Sequence, residues 1–308
     1  MAENHAVDTA LEAVLDSLRI ADPNGSRVAQ VLRDTFDQLY DGQRTGRYRW
    51  DQLFKTEKTH FGTLFEINLR RVLSDVISDG EKLDYRIADH EIDCKYSFQI
   101  GGWMLPPECI NELLLVCTAS DTQSEWALGV VRARPELLRP GKNRDLKTGL
   151  SLEGRQSIQW IQWGAPLPPN VLLDLDQETI EAIFCHPSGQ KRINTLFRRV
   201  TDRRIGRNTV ATVAQQDDYM KRVRYNGGAR SSLRNEGFII LGGDFSSHQQ
   251  IARELGVDVP GPGEFVSVRV ASTDGQYPLA ATIDGSYWRR AEPSDPVETA
   301  PLLTHLKK

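Results

Sequence analysis

The chain has 308 residues, 39% hydrophobic and 26% charged, with a formal net charge of -4, which fits a soluble globular protein of about two domains. No window approaches an 18-residue apolar run, which excludes a transmembrane helix, and the polar start Met1-Ala2-Glu3-Asn4-His5 lacks the basic and apolar pattern of a secretory signal. The cysteines Cys94, Cys109, Cys117 and Cys185 form no CxxC pair, so they read as reduced thiols of a cytosolic protein and not as a zinc site.

Residues 8–20 have helical spacing, with Leu11, Val14, Leu15 and Leu18 on one stripe. Asp22-Pro23-Asn24-Gly25 breaks it, and a second helix is predicted from Ser26 to Tyr40, stopped by Asp41-Gly42. Trp50 to Phe61 is polar and mixed. A third helix is predicted from Thr63 to Ser78, with Phe65, Leu69, Val72, Leu73 and Val76 apolar and Glu66 at the flank of that side. A hairpin over residues 83–95 follows, then two strand-length apolar runs, Asn111 to Ala119 and Trp126 to Arg132. The first half therefore reads as α/β with a mixed sheet and covering helices. Pro135 to Gly154 reads either as a basic segment lying over a polyanion or as plain loop.

Gly164 to Pro169 is the predicted linker, dividing the chain into domains at 1–165 and 166–308. Helices are expected at Asp176 to Phe184 and Arg192 to Thr201. Two short helices, Asn208 to Ala214 and Tyr219 to Tyr225, flank a polar turn, in the manner of a helix-turn-helix. Strands are expected at Phe238 to Gly243, Phe265 to Val270 and Ala280 to Ile283, which would make the motif winged. Residues 186–234 carry twelve Lys and Arg against three Asp, a local charge of +9 in an acidic chain. Such a block is a footprint for a polyanion or a solvated helix face.

The chemistry concentrates in the hairpin. Residues i and i+2 of a strand share a face, so Asp93 and Lys95 point one way while Ile92, Cys94 and Tyr96 point the other. Glu66 on a helix, Asp84 on one strand and Asp93-Cys94-Lys95 on the next form the arrangement of a PD-(D/E)xK nuclease core. Hydrolysis of an anionic phosphodiester needs charge neutralised, and Mg²⁺ takes oxygen ligands. Asp84 and Asp93 are the expected ligands, with the Cys94 carbonyl in preference to its thiol. Lys95 would orient or deprotonate the attacking water, or stabilise developing charge. Glu66 would bind a second metal or hydrogen-bond a metal-bound water. An acid-x-Lys triplet by itself is also common on plain surface hairpins.

Leu39-Tyr40-Asp41-Gly42-Gln43-Arg44 is similar to the K-x-D-G-x-R motif of DNA ligases, with Leu39 in the lysine position. Leucine has no nucleophile to accept AMP, so adenylation by that route is excluded, and Asp41-Gly42 could equally be a helix stop. In the second half Arg207, Gln215, Gln216, Lys221, Arg222, Arg224 and Arg230 are residue types that reach bases and phosphates. Asp217 and Asp218 would cap the second helix. A solvated polar helix pair is the competing reading.

Taken together, Leu39 to Arg47, Lys55 to His60, Glu66-Ile67-Asn68-Leu69, Asp93-Cys94-Lys95, Trp103 to Glu108, Asn143 to Lys147 and Ala211 to Asp218 resemble the NaeI family of restriction endonucleases. The resemblance implies a type IIE enzyme of a prokaryotic restriction-modification system. It implies an N-terminal endonuclease domain with Glu66, Asp84, Asp93 and Lys95 as its active-site set, and a CAP-like helix-turn-helix domain after it. It further implies a cytoplasmic homodimer that binds two copies of a GC-rich palindrome such as GCCGGC, one of them as allosteric activator. The leucine of the ligase-like motif (Leu39, Asp41, Gly42, Arg44) is itself a family trait. Two rivals remain: a transcription regulator with an inactive nuclease domain, and a topoisomerase or ligase-like enzyme, against which Leu39 speaks.

Overall fold

The computed structural model describes residues 7–303; the expectation for Met1 to His5 lies outside them. No helix among the described residues is long and apolar enough to cross a membrane. The chain forms two compact units. One contains the residues up to Leu39 with Arg49–Pro168, the other Tyr40–Tyr48 with the residues from Pro169 on.

The first unit opens with α1 (Thr9–Ala21) and α2 (Ser26–Tyr40). Asp8 caps α1 by accepting from the Leu11 amide at 3.1 Å, and Leu11, Val14, Leu15 and Leu18 are buried as the spacing predicts. The Asp22 carboxylate accepts from the amides of Arg27 and Val28, so the predicted breaker also starts α2. After the one-turn helix α3 (Gly42–Thr45), which belongs to the second unit, comes α4 (Lys55–Val72). It begins eight residues before the expected Thr63 and stops six before Ser78. Its apolar stripe starts at Phe61 and continues through Phe65 and Leu69. The polar turn ahead of that stripe is held by Glu57, which accepts from the Phe54 amide at 2.8 Å. Val72, expected inside, is exposed. Phe61 takes its place in the core, with its ring 4.3 Å from Tyr96 and 4.6 Å from Phe36.

The sheet of this unit runs in spatial order through β1 (Ser78–Asp79), β2 (Tyr85–Ile87), β3 (His90–Tyr96), β4 (Leu113–Ser120), β5 (Glu125–Arg132) and β6 (Gln159–Pro166). β3 and β4 are parallel, and every other pair is antiparallel. β2 and β3 are joined by Ala88 and Asp89, both with positive φ, as a tight hairpin of this twist requires. The parallel step cannot be made by a tight turn, and residues 97–112 cross over to make it. A short helix, α5 (Leu152–Gln156), precedes β6. Within the stretch expected as linker, Gly164, Ala165 and Pro166 are the last residues of β6, where Ala165 and Pro166 pair with Trp126 and Glu125 of β5. A proline is tolerated there since β6 is an edge strand.

In the second unit α6 (Gln177–Phe184), α7 (Gly189–Arg199), β7 (Arg204–Gly206), α8 (Arg207–Ala214), α9 (Ala229–Ser232), β8 (Phe238–Gly242), α10 (Ser246–Glu254), β9 (Glu264–Thr273), β10 (Ala280–Ile283) and β11 (Ser286–Arg290) follow in order. β9 is the hub of the sheet, pairing with β7, β8 and β11, and β10 pairs with β11. β8 alternates: Phe238 and Ile240 enter the core under α6, α7 and α8, whereas Ile239 and Leu241 enter the core under α10. The second helix expected at Tyr219 to Tyr225 is a single 3₁₀ turn over Tyr219–Arg222. The segment lies between Gln215, with φ +50°, and the Gly227-Gly228 turn, left-handed and glycine positions of the kind that end helices. α10 escaped the sequence reading because its polar residues His248 and Gln249 are buried. His248 Nδ1 accepts from the Gly242 amide at 3.0 Å, and Gln249 donates to the carbonyls of Gly243 and Pro260.

A buried ion pair ties α2 to the β4–β5 turn. Arg33 donates to both oxygens of Asp121, at 2.5 and 3.2 Å, with both side chains almost fully shielded. Removing one partner of such a pair strands the other charge and costs about 3–5 kcal/mol. Arg33 also pairs with Asp37 at 2.8 Å, so Asp121→Ala should lower the free energy of unfolding in urea by an amount toward the low end of that range, while Asp16→Ala, in an exposed pair with Arg19 at 3.9 Å, should leave it nearly unchanged.

Candidate active site

The hairpin register sets the geometry. Tyr85 pairs with Ile92 and Arg86 with Glu91; one further step in the same register places Asp84 across from Asp93. Asp84 is fixed there by accepting from the Cys94 amide through Oδ2 at 2.7 Å. Lys95 leaves β3 on the same side as Asp93, as strand alternation requires. Its Nζ lies 2.5 Å from Asp93 Oδ2, 3.6 Å from Asp84 Oδ2 and 3.2 Å from the Cys94 carbonyl. One ammonium thus sits among three oxygens, each of which the sequence reading assigned to a cation. The Cys94 thiol is on the opposite face, buried beside Tyr85.

Glu66 comes from α4 and shares a cleft of about 620 Å³ with Asp84, Tyr85, Arg70 and Arg71. The Tyr85 hydroxyl donates to the Glu66 carbonyl at 2.7 Å, which locks that turn of α4 to β2. Burial raises the Glu66 carboxyl above the usual carboxylate range, and the Asp84 charge pushes in the same direction while Lys95 opposes. Asp93 is also raised by burial, against the pull of Lys95. Burial alone would lower the Lys95 ammonium, but Asp93 and Asp84 outweigh it and hold the amine protonated. Four ionisable groups from three elements are therefore electrostatically coupled, as groups at working sites often are.

Two members were not found from the sequence. Cys109, on the crossover between β3 and β4, is fully buried and lies beside Asp93; burial and the Asp93 charge push its thiol up to about 12. Its spacing from Asp93 carried no signal, since only the crossover brings them together. Arg71 lines the cleft five residues after Glu66 on α4, and its adjacency to Arg70 was the available hint. Among the described residues no three His, Cys, Asp or Glu side chains converge as a ready cation cage. The third oxygen beside Asp84 and Asp93 is a backbone carbonyl. The donor set is nevertheless all oxygen, as a hard cation prefers. Asp93 Oδ2 is buried against the Lys95 ammonium with its remaining hydrogen-bonding capacity unfilled.

The other expected residues fall elsewhere. Leu39 is buried at the end of α2, whereas Asp41, Gly42 and Arg44 belong to the second unit. In that unit Arg207 opens α8, Gln215 is its exposed C-cap and Arg224 is exposed. Lys221 pairs with Asp218, and Arg222 donates to Gln216 at 2.5 Å. Asp217 and Asp218 cap no regular helix, because none forms there. Arg230 turns inward, donating to the Ile240 carbonyl at 3.0 Å with its guanidinium over the rings of Tyr225 and Phe245.

A family model described as "Restriction endonuclease NaeI" matches residues 12–299. The chain belongs to the NaeI restriction endonuclease family. A curated relative, "Type II restriction enzyme NaeI" of Lentzea aerocolonigenes, is 49% identical over 305 residues, covering 96% of this chain and 95% of its own length. This member of the NaeI family is accordingly a type II site-specific deoxyribonuclease. The burial of its thiols has a direct chemical consequence. Cys94, Cys109 and Cys117 are buried and Cys185 is exposed, so iodoacetamide at pH 8 should alkylate Cys185 and spare the other three until denaturant is added. Mass mapping of the labelled cysteines checks this.

Proposed function

We propose that the chain cleaves both strands of duplex DNA at a GC-rich palindrome such as GCCGGC, with Mg²⁺ as cofactor and Glu66, Asp84, Asp93 and Lys95 as the catalytic set. The observation that carries this reading is the Lys95 ammonium lying among Asp93 Oδ2, Asp84 Oδ2 and the Cys94 carbonyl. Asp84, Asp93 and the Cys94 carbonyl would hold the ion, with Glu66 beside them. When bound, Mg²⁺ supplies Lewis-acid polarisation of the phosphate and acidifies bound water.

The remaining work falls to the chain's own groups. Asp93 and Asp84 confine negative charge at one point of the hairpin, and Lys95 balances it until DNA and cation arrive. Freed from Asp93, the Lys95 Nζ can orient the attacking water and neutralise charge as it builds on the phosphoryl oxygens. The Glu66 carboxylate can accept a hydrogen bond from that water, since Tyr85 fixes its backbone. The water oxygen attacks phosphorus in line and one ester P–O bond breaks. Arg71 in the same cleft is placed to contact a neighbouring phosphate.

Residues 1–165 form the endonuclease domain in this reading. Residues 166–308 form a CAP-like DNA-binding domain in which α8 and the 3₁₀ turn serve as a shortened helix-turn-helix. The enzyme acts as a homodimer, and a second copy of the site on the C-terminal domain activates cleavage, the type IIE behaviour. Asp93→Ala and Lys95→Ala should each slow plasmid cleavage by ~10²–10³-fold or more while leaving duplex binding in EDTA intact; Asp93→Ala nicking at the wild-type rate with Mg²⁺ would overturn the site. Cleavage of a one-site plasmid should accelerate when a short site-bearing duplex is added. No acceleration would remove the two-site model and leave the nuclease assignment standing.

A further inference from the structure

We propose that the segment Tyr40–Tyr48, which contains most of the ligase-like motif, is part of the surface by which the second unit holds DNA, with Arg44 contacting a backbone phosphate. This rests on the reading of the second unit as a DNA-binding unit. The chain leaves the first unit after Leu39, packs nine residues into the second, and returns at Arg49. Those residues are seated on α8 and on the turn that follows it. Gly42 lies so close to α8 that a Cβ there would collide with the Thr212 hydroxyl, and a Cβ on Gly46 would meet the Gln215 amide. Gln43 donates to Asp217 at 3.4 Å. Tyr48 stacks on Phe184 at 6.0 Å and accepts through its carbonyl from Asn170 at 2.9 Å.

The segment is also internally braced. The Thr45 hydroxyl donates to the carbonyls of Tyr40 and Asp41, at 2.8 and 2.9 Å, and Arg47 Nε donates to the Tyr40 carbonyl at 3.2 Å. Against that fixed backbone the Arg44 side chain is 81% exposed, with a weak ion pair to Asp41 at 3.6 Å. The acidic groups nearby have donors in place: Asp217 has Gln43, Asp218 has Lys221 and Asp41 has Arg44. The turn therefore presents Arg44 beside the end of α8 and the Gln215–Asp217 turn, as an exposed cation of the type that tracks a phosphate backbone. The motif has lost the nucleophile that ligase chemistry needs at Leu39. In this reading its Asp-Gly-Gln-Arg portion serves as a braced mount for a cation.

The test measures binding of a fluorescein-labelled, site-bearing duplex to the full chain by anisotropy, in EDTA, across a salt series. Arg44→Ala should weaken binding severalfold and flatten the slope of log K against log salt by about 0.9, the contribution of one phosphate contact, while Arg44→Lys should keep most of the slope. Thermal unfolding of Arg44→Ala should match the parent, since the side chain is exposed. Unchanged affinity and slope in Arg44→Ala, with both lowered in Arg222→Ala or Arg224→Ala, would overturn the inference and leave the second unit a DNA-binding unit. If all three variants bind as the parent does, that reading falls, and this inference with it.

Discussion

Burying a carboxylate is costly unless a positive group meets it, and Asp93 is buried near the middle of β3, with a side chain only 7% exposed. Much of the local structure meets that constraint. The Lys95 ammonium reaches back to Asp93, and Asp84 is held by the Cys94 amide so that its charge falls on the same lysine. The internal ammonium balances the carboxylate charge and so lets the acids stand close together in the fold. The raised Glu66 and Asp93 carboxyls are the electrostatic residue of concentrating three acids around one base.

That concentration depends on elements far apart in sequence. α4 brings Glu66, and its seat on β3 is aromatic: Phe61 and Phe65 pack on Tyr96, and Trp50 packs on Phe61. Tyr85 closes the arrangement by bonding the α4 backbone from β2. The parallel pairing of β3 with β4 forces a crossover, and the crossover delivers Cys109. Each contact ties the position of the acids to the packed unit.

The second unit is built on a different logic. β9 pairs with three strands, and the alternating side chains of β8 feed separate cores on the two faces of the sheet. α8 is buried along nearly its whole length. The basic residues that follow it lie on a 3₁₀ turn and loop, where Gln216 orients Arg222 and Gln190 accepts no less a role by donating to the Arg222 carbonyl. Arg230, basic by sequence, is spent on holding β8 to the preceding loop. The charge block of residues 186–234 is thus divided between surface cations and structural ones.

Much of the chemistry was legible in the sequence. Alternation put Asp93 and Lys95 on one face, residues 83–95 read as a hairpin, and the apolar stripes of α1 and α2 marked helices whose bounds are nearly those observed. These signals are local, since they depend on periods of 2 and 3.6 residues and on turn chemistry. The early start of α4 was hidden because its first turn is polar and exposed. β6 was hidden because glycine and proline at an edge strand look like a linker, and α10 because its buried His248 and Gln249 bond to partners on other segments. The sequence alone determined which groups could do the chemistry. Only tertiary structure decided that Cys109 stands beside Asp93 and that Asp41, Gly42 and Arg44 pack with the second unit, because non-local pairing and close backbone approach leave no periodic trace along the chain.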